Sequence, residues 1–256
     1  MPLVSVIVCS KADPAWTVHE RNVAKTACSA CEYLRIDNRC GRYGICAAYN
    51  EGVRRARGDI LVFIHEDVFF METNWAAVLA DKFAADPMLG LVGVAGTQYL
   101  FADRMAWTAA GRPWLRGRVV HELDAGNEFA MTAFSLDKSD AEVVAIDGLF
   151  FAVRRKLFNR IRFDETTFDR FHFYDLDICM QVRETHRIMV TWDILVKHLS
   201  GGKADDSWRD AGKKFLLKYR DRLPASCVAT SPDPAKPPEM GIHIDLRGKA
   251  SRQTIC

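Results

Sequence analysis

Short apolar runs alternate with stretches of helical spacing through the first hundred residues. Residues 4–9 (VSVIVC) are dominated by β-branched apolar side chains and predict a buried strand. Residues 16–30 take helical spacing, just after Asp13-Pro14. Residues 32–37 (EYLRID) predict a second strand that ends at Asp37-Asn38. Residues 45–57 predict a helix with Gly58 as its stop. A third strand follows at 60–64, then a helix at 75–85 closed by Asp86-Pro87, then a fourth strand at 91–94. Strands that alternate with helices predict a parallel, doubly wound sheet in the N-terminal half.

The pattern loosens in the second half. Residues 99–134 carry glycine and aromatic side chains and predict hairpins and loops. Residues 143–146 and 150–153 are strand-like around Asp147-Gly148. Helical spacing returns at 174–186, short strands at 189–191 and 194–197, and a helix at 206–222. The basic residues of that last helix, Lys213, Lys214, Lys218, Arg220 and Arg222, predict a solvated face. Prolines at 224, 232, 234, 237 and 238 predict an extended tail.

At 256 residues, 49% hydrophobic and 27% charged, the chain is long and apolar enough to bury a sizeable core. A net charge of +2 offers no general attraction to nucleic acid or membrane. No apolar run approaches the roughly 20 residues a membrane helix needs. The first strand is too short for a signal peptide and lacks a basic flank, so a cytoplasmic location and reduced thiols are expected. Four of the eight cysteines cluster at 28, 31, 40 and 46. The first pair has zinc-like spacing, but five residues separate the second pair, which favours packed thiols over a metal site. Neither a GxxxxGK[ST] phosphate loop nor a GxGxxG turn after the first strand is present.

Candidate chemistry gathers at strand ends. In open α/β sheets, ligands sit beyond the carboxyl ends of the strands. Ser10 ends the first strand, Asp37 the second, and His65-Glu66-Asp67 the third. At spacing i, i+2 on an extended chain, His65 and Asp67 point the same way and can share one ion, unless the strand simply meets water there. Carboxylate and imidazole together suit Mn²⁺-like metals. Asp37 suits a base or ribose hydroxyl, or else serves as turn chemistry with Asn38. Asp175 and Asp177, in FHFYDLD at 171–177, suit either a helix N-cap or a general base. His198, before a Ser-Gly-Gly turn, can close a metal site or be an ordinary loop residue. Asp147 and Trp192 are candidates for the pocket wall.

An ordered series of segments carries a resemblance: SVIVCS at 5–10, EYLRIDN at 32–38, AYNEGVRRARGDILVFIHEDV at 48–68, IDGLFFAVRRKLF at 146–158, FDETTFDRFHFYDLDICMQVR at 163–183 and KHLSGG at 197–202. Together they resemble GT-A fold glycosyltransferases of the inverting "family 2" group, in particular its StrF-related branch. The resemblance implies an α/β, Rossmann-like, mixed but mostly parallel sheet flanked by helices. It implies one domain over 1–223, with a nucleotide-binding half at 1–98 and an acceptor half at 99–223, followed by the tail at 224–256. It implies a nucleotide diphosphate-sugar donor (UDP-, GDP- or dTDP-linked), a saccharide or other hydroxyl acceptor, and Mn²⁺ or Mg²⁺. Ser10, Asp37, Asn50 and Glu66 would face the donor nucleotide. His65, Asp67 and His198 would hold the metal. Asp147, Trp192 and Asp177 would lie on the acceptor side, and Asp175 would be the catalytic base.

Two positions depart from the family pattern. His65 stands where the first aspartate of Asp-x-Asp is expected, and Tyr174 where the glutamate of Glu-Asp is expected. The rival readings are a nucleotide-sugar-binding protein without turnover, and a sugar nucleotidyltransferase.

Overall fold

The computed structural model describes residues 3–11, 15–124, 128–200, 204–245 and 250–254. In chain order the first half runs β1 (Val4–Ser10), α1 (Ala15–Ala27), β2 (Cys31–Asp37), α2 (Ile45–Arg55), β3 (Ile60–Ile64), β4 (Val68–Phe70), α3 (Trp75–Ala85), β5 (Leu89–Gly93), β6 (Ala95–Thr97) and β7 (Tyr99–Leu100). It continues with β8 (Leu115–Asp124), β9 (Glu128–Ala133), β10 (Ala141–Val143), β11 (Ala145–Ile146), β12 (Phe150–Arg154), α4 (Tyr174–Val182), β13 (Arg187–Val190), β14 (Val196–His198), α5 (Asp206–Lys218), β15 (Ala225–Ser226), β16 (Glu239–Asp245) and β17 (Ala250–Thr254).

Seven strands form the central sheet in the order β10-β13-β5-β12-β3-β1-β2. The pairings make β1, β2, β3, β5 and β13 run one way, with β12 and β10 reversed. Strands β1 and β3 are covered on both faces, which is why their sequences are near-continuous apolar runs. Successive side chains of β3 enter different cores: Leu61 and Phe63 pack with α2, α4 and α5, while Ile60, Val62 and Ile64 pack with α1 and α3. An aromatic nucleus fills the first core, with Phe63 stacked on Phe151 at 5.0 Å and Tyr49 tilted against Phe63 at 4.9 Å. Emptying such a fully buried ring position costs about 3–5 kcal/mol.

Strand β2 lies on one side of β1 and β3 on the other. This reversal opens a crevice at the carboxyl ends of β1 and β3, where α/β sheets bind ligands. A second sheet, β11-β6-β8-β9-β16-β17, has β14 attached to β8, and β4 attached to β14. Its pairings decide the site, because antiparallel β14 and β4 set His198 opposite Val68, next to Asp67.

Several boundaries differ from the sequence reading. The helix expected to reach residue 186 ends at Val182, and the one expected to reach 222 ends at Lys218. The segment after Pro224, expected as an extended tail, contributes β15 on β7 and β16 between β9 and β17. Among the described residues, no helix is long and apolar enough to cross a membrane.

Candidate functional site

The site grows from the turn after β3. His65 remains tied to the sheet through its backbone N–H, which donates to Leu149 O at 3.1 Å. The chain then bends through Glu66 and Asp67 into β4. The β4–β14 register and a Leu199 N–H to Asp67 O bond of 3.0 Å bring the end of β14 alongside. His65, Asp67 and His198 thereby place three ligand atoms within 4.8 Å of one another. His198 Nε2 lies 3.5 Å from Asp67 Oδ2. Two imidazoles and a carboxylate at this spacing suit a divalent transition-metal ion.

The electrostatics agree with that fit. Burial, aided by neighbouring His198, lowers the His65 pKa to about 4, so its ring is neutral and keeps a lone pair. Burial alone would raise the Asp67 pKa, but hydrogen bonds from His198 and Ser200 outweigh it and hold the carboxyl well below the usual range. Ser200 Oγ donates to Asp67 Oδ2 at 2.6 Å and lies 3.2 Å from His198 Nε2. Sequence reasoning passed over Ser200, although its i, i+2 spacing from His198 on an extended chain was a usable signal. His121 on β8 extends the row, its ring 5.9 Å from that of His198.

The opposite wall is the start of α4. Phe173 precedes it in a left-handed conformation, φ 64°, and the helix begins without a side-chain cap. Neither Asp175 nor Asp177 is therefore the N-cap; both lie inside the first turn. Two residues apart on a helix, they project about 200° apart and meet different surroundings. Asp175 Oδ2 accepts the Gly148 N–H at 2.9 Å, and Oδ1 accepts the Leu176 N–H at 2.9 Å. Burial and the neighbouring Asp147 carboxylate push the Asp175 pKa up to about 7. Burial also raises Asp147, whose Oδ1 accepts the Leu149 N–H at 3.0 Å.

Gly148 connects the walls. Its N–H goes to Asp175 and its carbonyl accepts from the Tyr174 hydroxyl at 2.9 Å. That hydroxyl also lies 2.6 Å from His65 Nε2. A Cβ on Gly148 would run into the Tyr174 ring and hydroxyl, so the junction requires glycine.

The remaining candidates divide. Glu66 stays at the turn, taking Ser10 Oγ at 2.8 Å and Lys11 N–H at 3.0 Å, and so fastens the end of β1 to that of β3. Asp37 lies exposed at the end of β2 and is paired with Arg39 at 2.6 Å, whose hydrogen bonds lower its pKa to about 2. Asn50 uses its amide to clamp the Phe163 backbone from both sides, at 2.9 and 3.1 Å. Asp177 is fully buried away from the wall, bonded to Lys218 at 2.6 Å, Tyr219 at 2.7 Å and Gln181 at 2.8 Å. Trp192 lies beneath the Arg118 guanidinium, 4.8 Å away, and its backbone N–H donates to Asp140 Oδ1 at 3.1 Å. Cys28 and Cys40 are exposed and Cys46 is buried, and the group of three or more ligands found among the described residues contains no cysteine.

Comparisons with known proteins bear on the family and the fold. A family profile described as "Glycosyltransferase like family" matches residues 5–219. The protein described as "ATP synthase subunits region ORF 6", from Fuscovulum blasticum, is 24% identical over 201 residues, covering 75% of this chain and 73% of its own. The structure of GalNAc-T7 with UDP, GalNAc and Mn²⁺ aligns with a TM-score of 0.55 at 11% identity, covering 82% of this chain but only 44% of that one. The mannosyltransferase PcManGT from Pyrobaculum calidifontis, in complex with GDP-Man and Mn²⁺, aligns with a TM-score of 0.53 at 16% identity, covering 92% of this chain and 67% of its own. At these identities the structural likenesses establish a shared fold, the GT-A arrangement of a mixed sheet flanked by helices.

Proposed function

This chain belongs to the glycosyltransferase-like family, and from that footing we propose that it moves a sugar from a nucleotide diphosphate-sugar to an acceptor hydroxyl with inversion at the anomeric carbon. The observation that carries the reading is a raised carboxyl, Asp175, joined through Gly148 and Tyr174 to a His-Asp-His cluster at the sheet's switch point.

Asp175 accepts the proton of the acceptor hydroxyl. With a pKa of about 7 it is ionised in a large share of molecules at neutral pH, and it is a stronger base than an ordinary carboxylate. The acceptor oxygen forms its bond to the anomeric carbon while the bond to the diphosphate oxygen breaks, and the diphosphate leaves with that electron pair. His65, Asp67 and His198 would hold Mn²⁺ or Mg²⁺. When bound, such an ion supplies positive charge that offsets the charge of a diphosphate leaving group. Asp37 would meet a ribose hydroxyl at the exposed end of β2, in competition with Arg39, which already engages both carboxylate oxygens.

The test is thermal unfolding with UDP-, GDP- and dTDP-sugars, with and without Mn²⁺. A donor at a hundred times its Kd stabilises by about 2.7 kcal/mol, or roughly 5–10 °C for a chain of this size. We expect one donor class to give that shift with Mn²⁺ and Asp67→Ala to lose most of it. No shift with any donor in the wild type, or an equal shift in Asp67→Ala, refutes the donor and metal assignment respectively.

A further inference from the structure

Two hydrogen bonds converge on a single hydroxyl. The Tyr174 oxygen lies 2.6 Å from His65 Nε2 and 2.9 Å from Gly148 O. Tyrosine has one hydroxyl proton, and a carbonyl oxygen can only accept. The proton therefore goes to Gly148, and His65 supplies the proton of the other bond from Nε2. The remaining lone pair of the imidazole is then on Nδ1. Were the ring protonated at Nδ1 instead, Nε2 and the Gly148 carbonyl would compete for one proton, and one acceptor would stay unpaired in a closed setting.

Tyr174 cannot swing away to relieve such a conflict. It is 3% exposed, with its ring packed against Tyr49 at 5.6 Å and Phe151 at 6.4 Å. Its backbone opens α4, whose next residue, Asp175, accepts the N–H of the same glycine. The two positions that depart from the family pattern, His65 and Tyr174, are thus bonded to each other.

We infer that Tyr174 is a positioning residue that locks His65 in its Nε2–H tautomer and so presents Nδ1 as the ligand atom for a divalent cation. Ring nitrogens that bind metals are commonly fixed in this way by a partner on the other nitrogen. The inference rests on reading His65, Asp67 and His198 as a cation site.

The experiment uses full-length, metal-free protein labelled with ¹⁵N-histidine. Long-range ¹H–¹⁵N spectra report the tautomer, with His65 assigned from its loss in His65→Gln. We expect the wild type to be protonated at Nε2 and Tyr174→Phe to shift toward the other tautomer or a mixture. We also expect Tyr174→Phe to bind Mn²⁺ about tenfold or more weakly by calorimetry, the usual size of such a partner's contribution. A wild-type His65 protonated at Nδ1 overturns the lock, and that spectrum needs no variant to fold. Unchanged Mn²⁺ affinity in Tyr174→Phe overturns the presentation of Nδ1. Failure of the cation reading looks different: neither the wild type nor Asp67→Ala binds Mn²⁺, while the tautomer in the metal-free protein is still read. The lock then stands and its role in cation binding is overturned.

Discussion

Replacing Asp175 with asparagine should abolish turnover and, above neutral pH, stabilise the fold. The folded pKa of Asp175 is about 7, above the unfolded value of 3.8. Below the unfolded value both states hold the proton, and the carboxyl has no effect on stability. Between the two values the folded state keeps a proton that the unfolded state releases, so stability falls as pH rises, then levels off above about 7. At ~1.4 kcal/mol per pH unit the full gap corresponds to about 4 kcal/mol, an upper bound for a carboxyl at the edge of a crevice. Asparagine removes that penalty and can still accept the Gly148 N–H through its oxygen. Its NH₂ then faces the Leu176 N–H, which costs about 1 kcal/mol. The net expectation is a gain of about 1–3 kcal/mol at pH 8.5 and a small loss at pH 4. Urea midpoints at both pH values measure the difference. Equal destabilisation at both pH values would refute the raised pKa and, with it, the argument for Asp175 as base.

Gly148→Ala puts a methyl group against the Tyr174 hydroxyl; it should cost about 1–3 kcal/mol of overpacking and lower kcat more than donor affinity, checked by thermal unfolding and steady-state kinetics. Asp177→Ala removes a buried partner of Lys218 and Tyr219; it should destabilise by about 2–4 kcal/mol and leave kcat/KM per folded molecule near the wild-type value. A stable Asp177→Ala without turnover would transfer the base role to that residue.

The parts of the fold legible in the sequence are those with strong periodicity. Strand β3 and helix α3 take their expected bounds because a doubly covered strand must be apolar throughout, and a helix ending at Asp86-Pro87 has an unambiguous stop. The positions of His65, Asp67 and His198 followed from strand ends in the same way. What stayed hidden depends on contacts between distant residues. Asn50 spends its amide on Phe163, 113 residues away, which no local pattern reveals. Asp175 and Asp177 look alike in sequence, and only packing decides which one meets Gly148 and which one Lys218. Strand β16 pairs with β9 across more than a hundred residues, through a segment whose prolines argue for an open tail.

The most direct test of glycosyl transfer is product analysis. The protein is incubated with each nucleotide diphosphate-sugar, Mn²⁺ and a panel of saccharide acceptors, while nucleoside diphosphate release and product anomer are followed by NMR. Acceptor-dependent release with an inverted product, lost in Asp175→Asn while the donor still binds, is the predicted result. A donor that binds but is never turned over, pyrophosphate released from a nucleoside triphosphate, or a product that retains the donor's configuration would contradict it.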